Sequence, residues 1–435
     1  MSSILFLIPS LAGGGEERVV LTLAQGFAER GWKVAICCAQ AQGPLRAHVP
    51  RNVELIDMHS PRVSRTLPSL VRVLRAHPDS VVFAGMNHMC VVTLLAARVL
   101  THHAGPVIVH EAARLDAGRE HESRFKWQML LLCMRWLYPL ADSVVVGSAS
   151  VRAELEANIS GLQEISTLIP LPVNLALAAE RGAHPATHPW LSANRERPVI
   201  LGVGRLSPEK GFDLLIAALR RLHDAGGRQH LLIAGAGNEA PQLKAQAERL
   251  GLSEHIDFLG HVDNPWSLMG AADLLVVPSR AEGFCLTLVE AMSLGCQVVS
   301  TRFGSSALDI LDDGRLGELA PTDDPAALAQ AISRSLAAPR PQDELRAAAR
   351  RFDSAKIVED YVALAAALQD AGAVPKAGER VDAGQALRGA ELLDELRVCA
   401  RQAGDAQLRL QHLDEVEHQR DPVLADAPRP RIDCA

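Results

Sequence analysis

Loops that combine glycine with arginine and lysine have the composition of phosphate-binding sites. The segment 202–211 reads Gly-Val-Gly-Arg-Leu-Ser-Pro-Glu-Lys-Gly. Arg205 offers a planar set of donors and Lys210 a compact charge, and both stand on a turn that includes Gly204. Cations near a helix start oppose the helix dipole unless an anion binds there. We therefore predict a diphosphate site, and the plainer interpretation is a pair of solvated surface charges.

A second anion site is predicted where the segment 281–290, Ala-Glu-Gly-Phe-Cys-Leu-Thr-Leu-Val-Glu, follows a continuous apolar strand. Gly283 lets the backbone approach a ligand, and backbone amides at a helix start attract anions. Glu290 would reach ribose hydroxyls from the first or second turn, and Glu282 would meet a sugar beyond the phosphates. The alternative is an ordinary acidic helix start. The residues expected to present these amides are Phe284, Cys285, Leu286, Thr287 and Leu288.

Two further loops are rich in glycine. Gly-Ala-Gly-Asn-Glu-Ala at 235–240 fits the loose dinucleotide pattern GxGxxA. A nicotinamide site is disfavoured because the acidic residue at nearly the right spacing, Asp257, falls at the start of its strand. Gly13, Gly14 and Gly15 directly follow the first predicted strand and predict a ligand held against a helix start. No Gly-Lys-Ser/Thr follows them, so the P-loop pattern is missing.

Alternating short apolar runs and amphipathic helical patterns indicate parallel sheets covered on both faces. Ligands of such sheets bind outside the carboxyl ends of the strands, where the loops above begin. The expected fold is α/β, with two Rossmann-like doubly wound parallel-sheet domains facing across a cleft. The predicted strands are 3–8, 33–38, 53–57, 80–84, 106–110, 143–146, 199–204, 230–234, 256–260, 273–278 and 297–301.

The domain boundaries are predicted where this alternation of strands and helices is interrupted. The proline-containing stretch 170–198 interrupts the alternation and predicts the junction between the domains. We predict an N-terminal domain over 1–185 and a C-terminal domain over 186–352. A helix over 353–371 is expected to return to the first domain. The charged, alanine-rich segment 372–435 is predicted to be an appendage, mobile or helical.

Composition and charge limit the classes of binding partner that are expected for the chain. The chain has 435 residues, of which 48% are hydrophobic, and a formal charge of -7, so two packed domains are expected and nucleic acid is not. The eight cysteines form no CxxC pair, which fits reduced thiols in a cytoplasm. No apolar run approaches the roughly 18 residues of a membrane span. Four basic residues of the first domain are candidates for peripheral contact with anionic lipid at the inner face of a membrane, and a solvated helix face is the favoured alternative: Arg62, Arg65, Arg72 and Arg75.

Taken in order, these loops resemble the retaining glycosyltransferases of family 4, whose two-domain architecture is called GT-B. The resemblance runs over about residues 3–370. It implies a nucleoside-diphosphate sugar, UDP- or GDP-linked, in the second domain and an acceptor presented by the first. The matching motifs are Gly-Gly-Gly-Glu-Glu at 13–17, Gly-Arg-Leu-Ser-Pro-Glu-Lys-Gly at 204–211, Gly235-Ala-Gly237, and Glu282 with Glu290 in an E-x7-E arrangement.

The resemblance also implies roles for individual residues. Arg205 and Lys210 would hold the diphosphate, Glu290 the ribose and Glu282 the donor sugar, assisted by the amides of 283–288. No metal cofactor is implied, because cations and helix amides neutralise the leaving group. The remaining donor-site residues implied are Gly204, Gly235 and Gly237.

On the first domain, the resemblance implies that Gly13, Gly14 and Gly15 line the cleft. Glu16 departs from the small residue usual in this loop, which puts the acceptor contacts in doubt. His110, at a predicted strand end, is implied to act near the donor sugar in a catalytic or positioning role. The acceptor is expected to be a glycan or lipid-linked molecule in polysaccharide or glycolipid synthesis. Two alternatives stay open: a nucleotide-sugar epimerase of the same architecture and a non-catalytic binding protein.

Overall fold

Two parallel sheets organise the computed structural model, which describes residues 2–112, 115 and 124–373. The first sheet has seven strands in the order β3-β2-β1-β4-β5-β6-β7, and every neighbouring pair is parallel. Its strands are β1 Ser3–Ile8, β2 Lys33–Cys38, β3 Glu54–Asp57, β4 Val81–Gly85, β5 Val107–Glu111, β6 Ser143–Val146 and β7 Ser166–Leu168.

The second sheet has six strands in the order β10-β9-β8-β11-β12-β13, again all parallel. The order reverses beside β8, which creates the crevice where ligands of doubly wound sheets bind. Its strands are β8 Val199–Val203, β9 His230–Ala234, β10 Ile256–Gly260, β11 Leu274–Val277, β12 Gln297–Thr301 and β13 Glu318–Ala320.

Helices cover both sheets. Those of the first half are α1 Gly15–Glu29, α2 Leu67–Ala76, α3 Asn87–Leu94, which a π-helical turn Leu95–Leu100 extends, α4 Arg124–Leu137 and α5 Ala149–Asn158. Those of the second half are α6 Leu175–Gly182, α7 Phe212–Asp224, α8 Ala240–Arg249, α9 Pro265–Ala271, α10 Leu286–Ser293, α11 Ser305–Leu311, α12 Pro325–Ala337, α13 Gln342–Ala349 and α14 Ser354–Ala373. Short 3-10 turns lie at Pro44–His48, Val63–Arg65, Tyr138–Leu140, Pro189–Leu191, Pro208–Lys210, Asp312–Gly314 and Arg350–Phe352.

The predicted apolar runs form buried strands. Every residue of β4, β5, β6, β11 and β12 is buried, as expected when helices cover both faces of a parallel sheet. The fold class predicted from the alternation is confirmed: the chain has two Rossmann-like domains in the GT-B arrangement. The carboxyl ends of β1 and β8 therefore carry the glycine loop and the cation loop.

The chain passes between the domains twice, and the two passages lie side by side. Val173 N–H donates to the carbonyl of Phe352 over 3.0 Å, and Ser354 N–H donates to the carbonyl of Val173 over 2.9 Å. The predicted boundary at residue 185 falls after helix α6, yet α6 packs against α9 and α10 of the second domain. The prolines before α6 interrupt the first alternation of strands and helices, but the sequence pattern does not indicate which domain the helix joins.

Helix α14 packs on helix α1 of the first domain. Val358 and Tyr361 of α14 are buried there, and the Tyr361 ring lies 6.1 Å from the ring of Phe83. A chain that crosses back in this way ties the two domains together. The predicted appendage 372–435 lies outside the described residues beyond Ala373.

Gly26 sets the distance between these two helices, and its replacement provides a stability test. A Cβ at this position would lie 2.4 Å from Val358 Cγ1, so Gly26→Ala is expected to lower the free energy of unfolding by about 1–2 kcal/mol through overpacking. Urea unfolding measures the loss. In a Val358→Ala background the same change should be neutral or stabilising, because alanine is the better helix former; equal losses in both backgrounds would contradict this contact.

Candidate functional site

Both predicted cations lie at the carboxyl end of β8. Arg205 lies two residues after the end of the strand and is exposed. Lys210 ends the 3-10 turn Pro208–Lys210, so it precedes α7 rather than lying in its first turn. Gly211, at φ +66°, caps that helix, and a Cβ there would lie 2.1 Å from the carbonyl oxygen of Pro278. The glycine thus lets the cation loop pack directly on the end of β11.

The structure brings Lys210 and Glu282 together. Lys210 Nζ lies 3.1 Å from Glu282 Oε1, with the side chains 25% and 10% exposed. Burial lowers the pKa of Lys210, but the charge of Glu282 and its hydrogen bond outweigh burial, and the net pKa is raised. Arg205 acts on it in the opposite direction, as a nearby cation must. The ammonium therefore stays charged in a partly enclosed position, where a charge acts most strongly on an anion.

Arg280 positions this pair and was missed by the sequence analysis. Its guanidinium donates to both oxygens of Asp213 over 2.8 and 2.7 Å and to Asp323 over 2.7 Å. It also donates to the carbonyl of Pro208 over 2.7 Å. The cation loop is thus fixed to the first turn of α7, where Asp213 lies. No motif or spacing in the sequence connects Arg280 with Asp213 and Asp323, so no signal indicated this clamp.

The segment 283–288 forms the predicted helix start. Helix α10 begins at Leu286 with Cys285 as its N-cap, and the Cys285 side chain makes no capping hydrogen bond. Such uncapped amides form an anion-binding position. Burial raises the pKa of Cys285 to about 12, so the thiol stays protonated and accepts or donates only a weak hydrogen bond with Thr287 Oγ1, at 3.1 Å.

This segment also meets the first domain. Phe284 packs edge-on against Phe352, with the ring centres 5.5 Å apart, and Phe284 and Leu286 each pack against both hydrophobic cores. Leu288 is fully buried. The apolar residues between Glu282 and Glu290 therefore hold the anion-binding amides at the boundary between the domains.

Glu290 lies one turn into α10 and is partly exposed. Burial raises its pKa, and the positive charge of Arg18 opposes that rise. Trp266 of α9 lies beside it and is 7% exposed. Arg18 and Trp266 were not among the predicted site residues, because nothing in the sequence spacing connects α1 with α9.

Two loops of the second domain pack closely against each other at three glycines, Gly204, Gly235 and Gly237. A Cβ at Gly235 would lie 1.8 Å from the carbonyl oxygen of Gly204, and one at Gly237 would lie 2.1 Å from that of Leu206. Leu206 N–H donates to the carbonyl of Ala236 over 3.0 Å. Close packing of these loops accounts for the glycines without a dinucleotide. Asp257, the acid weighed for a nicotinamide site, pairs instead with His188 Nε2 at 3.1 Å.

The glycine loop of the first domain faces this segment. Gly13 adopts φ +105°, a conformation that favours glycine. A Cβ at Gly14 would lie 2.3 Å from Glu17 Oε2, and one at Gly15 would lie 3.3 Å from Leu286 Cδ1. The three glycines thus allow the start of α1 to approach α10 directly. Glu17, which the sequence analysis did not single out, is buried; burial raises its pKa, and Arg205 across the cleft opposes the rise.

Glu16 and His110 form a largely buried pair. Glu16 Oε1 lies 3.1 Å from His110 Nδ1 and accepts a 3.0 Å hydrogen bond from the backbone N–H of Met86. The imidazole is 0% exposed, and its Nε2 has no hydrogen-bond partner among the described residues. The Glu16 side chain keeps 11% exposure, and its predicted place on the acceptor side of the cleft stays a prediction. His110 reaches the site through its strand end, with its side chain turned inward.

The described residues contain neither a metal-binding cluster nor a membrane-spanning helix. No group of three or more His, Cys, Asp or Glu side chains is placed to hold a metal ion within residues 2–112, 115 and 124–373. Among the helices of that part of the chain, none is both long and apolar enough to cross a membrane.

Two family models match successive parts of the chain. Residues 13–177 match the model described as Glycosyltransferase Family 4, and residues 186–352 match Glycosyl transferases group 1. The chain belongs to glycosyltransferase family 4. The first matched range contains β2–β7 and the second contains β8–β13, and together they contain the loops that form the site of this family 4 chain.

Curated relatives of this family 4 chain are glycosyltransferases of several kinds. It is 33% identical over 201 residues to phosphatidyl-myo-inositol mannosyltransferase of Mycobacterium leprae, covering 45% of this chain and 50% of that protein. It is 32% identical over 249 residues to glycogen synthase of Mycobacterium tuberculosis, covering 56% and 57%. The chain spans about half the length of the curated relatives it matches.

Solved structures share the fold of this family 4 chain. Anabaena HepE in complex with UDP and glucose superimposes with a TM-score of 0.69 at 22% identity, over 84% of this chain and all of that one. Sucrose-phosphate synthase of Thermosynechococcus elongatus gives a TM-score of 0.71 at 21% identity, over 85% and 100%. At these identities the likeness concerns the fold.

Proposed function

We propose that this chain is a retaining glycosyltransferase that moves a sugar from a nucleoside-diphosphate sugar to an acceptor bound across the cleft. The observation that carries the proposal is the Lys210–Glu282 pair, 3.1 Å apart, beside the uncapped start of α10. A cation and free amides meet there at the carboxyl ends of β8 and β11. A carboxylate at the same point suits the hydroxyls of a sugar attached to the bound phosphates.

The donor is held by the second domain. Arg205, Lys210 and the first amides of α10 bind the diphosphate, while Glu290 accepts hydrogen bonds from ribose hydroxyls. The donor is UDP- or GDP-linked. The HepE structures with UDP and glucose and the mannosyltransferase relative support a hexose as the transferred group.

Transfer breaks the bond between the anomeric carbon and the diphosphate oxygen, and the diphosphate leaves with the electron pair. The acceptor hydroxyl forms the new bond on the same face, and its proton passes to the departing phosphate oxygen. Electrostatic stabilisation of that leaving group is the main contribution of the protein. Lys210, Arg205 and the amides supply it, so a metal cofactor is not required.

The acceptor is presented by the first domain. Gly13–Gly15 bring the start of α1 close to α10, and Glu17 lies nearby, across from Arg205. A glycan or a lipid-linked molecule fits a cleft open to two domains. We place the reaction in the cytoplasm at the inner face of a membrane, in polysaccharide or glycolipid synthesis.

Thermal unfolding with a panel of UDP- and GDP-sugars tests the donor. A sugar nucleotide at about 100 times its dissociation constant is expected to raise the free energy of unfolding by about 2.7 kcal/mol. With an acceptor supplied, nucleoside diphosphate should be released, activity should persist in a chelator, and NMR should show retained anomeric configuration. Conversion of the sugar nucleotide without an acceptor would instead indicate an epimerase. Binding without turnover on any acceptor would indicate a binding protein.

A further inference from the structure

The start of α1 is occupied by carboxyl groups of the chain itself. Glu16 and Glu17 lie in its first turn, where acidic side chains offset the positive end of a helix. Glu17 Oε2 would lie 2.3 Å from a Cβ on Gly14, the N-cap residue. Burial raises the pKa of Glu17, and hydrogen bonds from its own N–H and from the N–H of Gly14 act against that rise. Glu17 therefore fills amides that an anionic ligand would need, as the glutamate of a capping box does.

Glu16 fills another amide at the carboxyl end of the same sheet. Its Oε1 accepts from the N–H of Met86, the N-cap residue of α3, over 3.0 Å. The same oxygen lies 3.1 Å from His110 Nδ1. A Cβ on Gly85 would lie 2.6 Å from it, so the glycine makes room for the carboxylate. Glu16 is thus held between the ends of β4 and β5, in a position that is only 11% exposed.

The start of α10, across the cleft, differs in charge. Its first turn contains no acidic side chain, and its N-cap residue Cys285 makes no capping hydrogen bond. Two cations also act at this boundary between the domains. The charge of Arg205 acts on Glu17, and that of Arg18 acts on Glu290. An anion is therefore favoured on the side of α10, whereas at the start of α1 it would meet two carboxyl groups and amides that are already bonded.

We infer that the acceptor presents an uncharged, hydroxyl-bearing group to the start of α1, a neutral sugar or polyol, and that a phosphate ester is excluded there. The inference rests on the proposed function and names the class of its acceptor. A phosphate beside Glu16 and Glu17 is repelled in a partly desolvated position, and the bonded amides offer it no compensation. Hydroxyl groups donate hydrogen bonds to carboxylates, so a neutral sugar suits the same surface.

Matched acceptors test this inference. Nucleoside diphosphate release from the donor found in the binding screen is measured with the methyl glycosides of glucose, galactose and mannose, and with their 6-phosphates. For each glycoside that is accepted, kcat/KM should exceed that of its phosphate by about tenfold or more. Glu16→Gln keeps an oxygen for the N–H of Met86 but removes the charge, so it should bring this ratio closer to one. Glu29→Gln, at an exposed position near the end of α1, is the matched control and should keep the wild-type ratio.

A wild type that prefers the phosphates would overturn the inference, and so would an unchanged ratio in Glu16→Gln. Inorganic phosphate gives a second readout, which decides the matter if none of the glycosides is accepted. Calorimetry compares its binding to the wild type and to Glu16→Ala/Glu17→Ala, each saturated with UDP or GDP, whichever binds. The double variant, or Glu16→Ala alone if the double variant does not fold, should bind phosphate more tightly than the wild type. Equal binding would overturn the inference alone, whereas failure of the wild type to bind either nucleoside diphosphate would overturn the proposed function.

Discussion

Replacing Lys210 with alanine is expected to lower kcat/KM for sugar transfer by about two to three orders of magnitude. The ammonium is held 3.1 Å from Glu282 and is only 25% exposed, so it acts on the leaving diphosphate in a partly desolvated position. Loss of one preorganised charge at such a point costs about 3–4 kcal/mol of transition-state stabilisation. Initial rates with a donor and acceptor identified by the binding screen measure the effect.

The controls separate chemistry from folding. Lys356→Ala removes the same charge from an exposed position on α14 and should transfer sugar at the wild-type rate. Lys210→Arg keeps the positive charge on a side chain of different length. Its rate of sugar transfer should lie between those of Lys210→Ala and the wild type. Thermal unfolding of Lys210→Ala should stay close to the wild type, because Glu282 keeps its hydrogen bond from Ser279. Near-normal turnover in Lys210→Ala would show that the diphosphate is held elsewhere.

The fold was predictable because buried parallel strands are continuous apolar runs. Strands β2, β6, β9, β10 and β12 have the predicted bounds. The sequence analysis missed β7 and β13, edge strands of three residues, which are too short to show a period. Helix α6 shows a second limit: an amphipathic pattern reveals a buried face but does not reveal which domain buries it.

The site was predictable where its residues follow the strand ends of one domain. The sequence analysis placed Lys210 and Glu282 in loops that follow strands of the second domain, and the structure pairs them. The sequence analysis missed Arg18 and Trp266. Their approach depends on how the two domains come together, and local sequence spacing does not indicate that arrangement. Glycines gave an ambiguous signal: those at 235 and 237 make room for a neighbouring loop, and sequence alone does not distinguish that from room for a ligand.

Glu111 supplies the second large prediction, one of stability. It ends β5 on the opposite face from His110 and is 1% exposed. The Tyr138 hydroxyl donates to its carboxyl group, and the Cys90 thiol, which donates to the Ala84 carbonyl over 3.2 Å, lies nearby. Burial raises the pKa of Glu111 from its ordinary 4.5 to about 8. The folded chain therefore holds a proton there across the neutral range, whereas the unfolded chain does not.

The sign of the pH dependence follows from that difference. Because the folded pKa is raised, the contribution of Glu111 to stability is complete below pH 4.5 and is lost as the pH rises through about 8. Between pH 5 and pH 9 this group alone should lower the free energy of unfolding by on the order of 4 kcal/mol. Glu111→Gln keeps the shape of the side chain and an acceptor for Tyr138, but it does not titrate. Over the same pH range the free energy of unfolding of this variant should therefore fall less than that of the wild type, by that amount.

Urea unfolding of both chains at pH 5 and pH 9 measures the difference between the two pH dependences. Every other titrating group is common to both chains and cancels in that comparison, provided its surroundings are unchanged. Glu29→Gln, at an exposed position on α1, is the matched control and should keep the wild-type pH dependence. If Glu111→Gln kept it as well, Glu111 would have to be ionised in the folded chain, with its charge compensated by a group that the described contacts do not include.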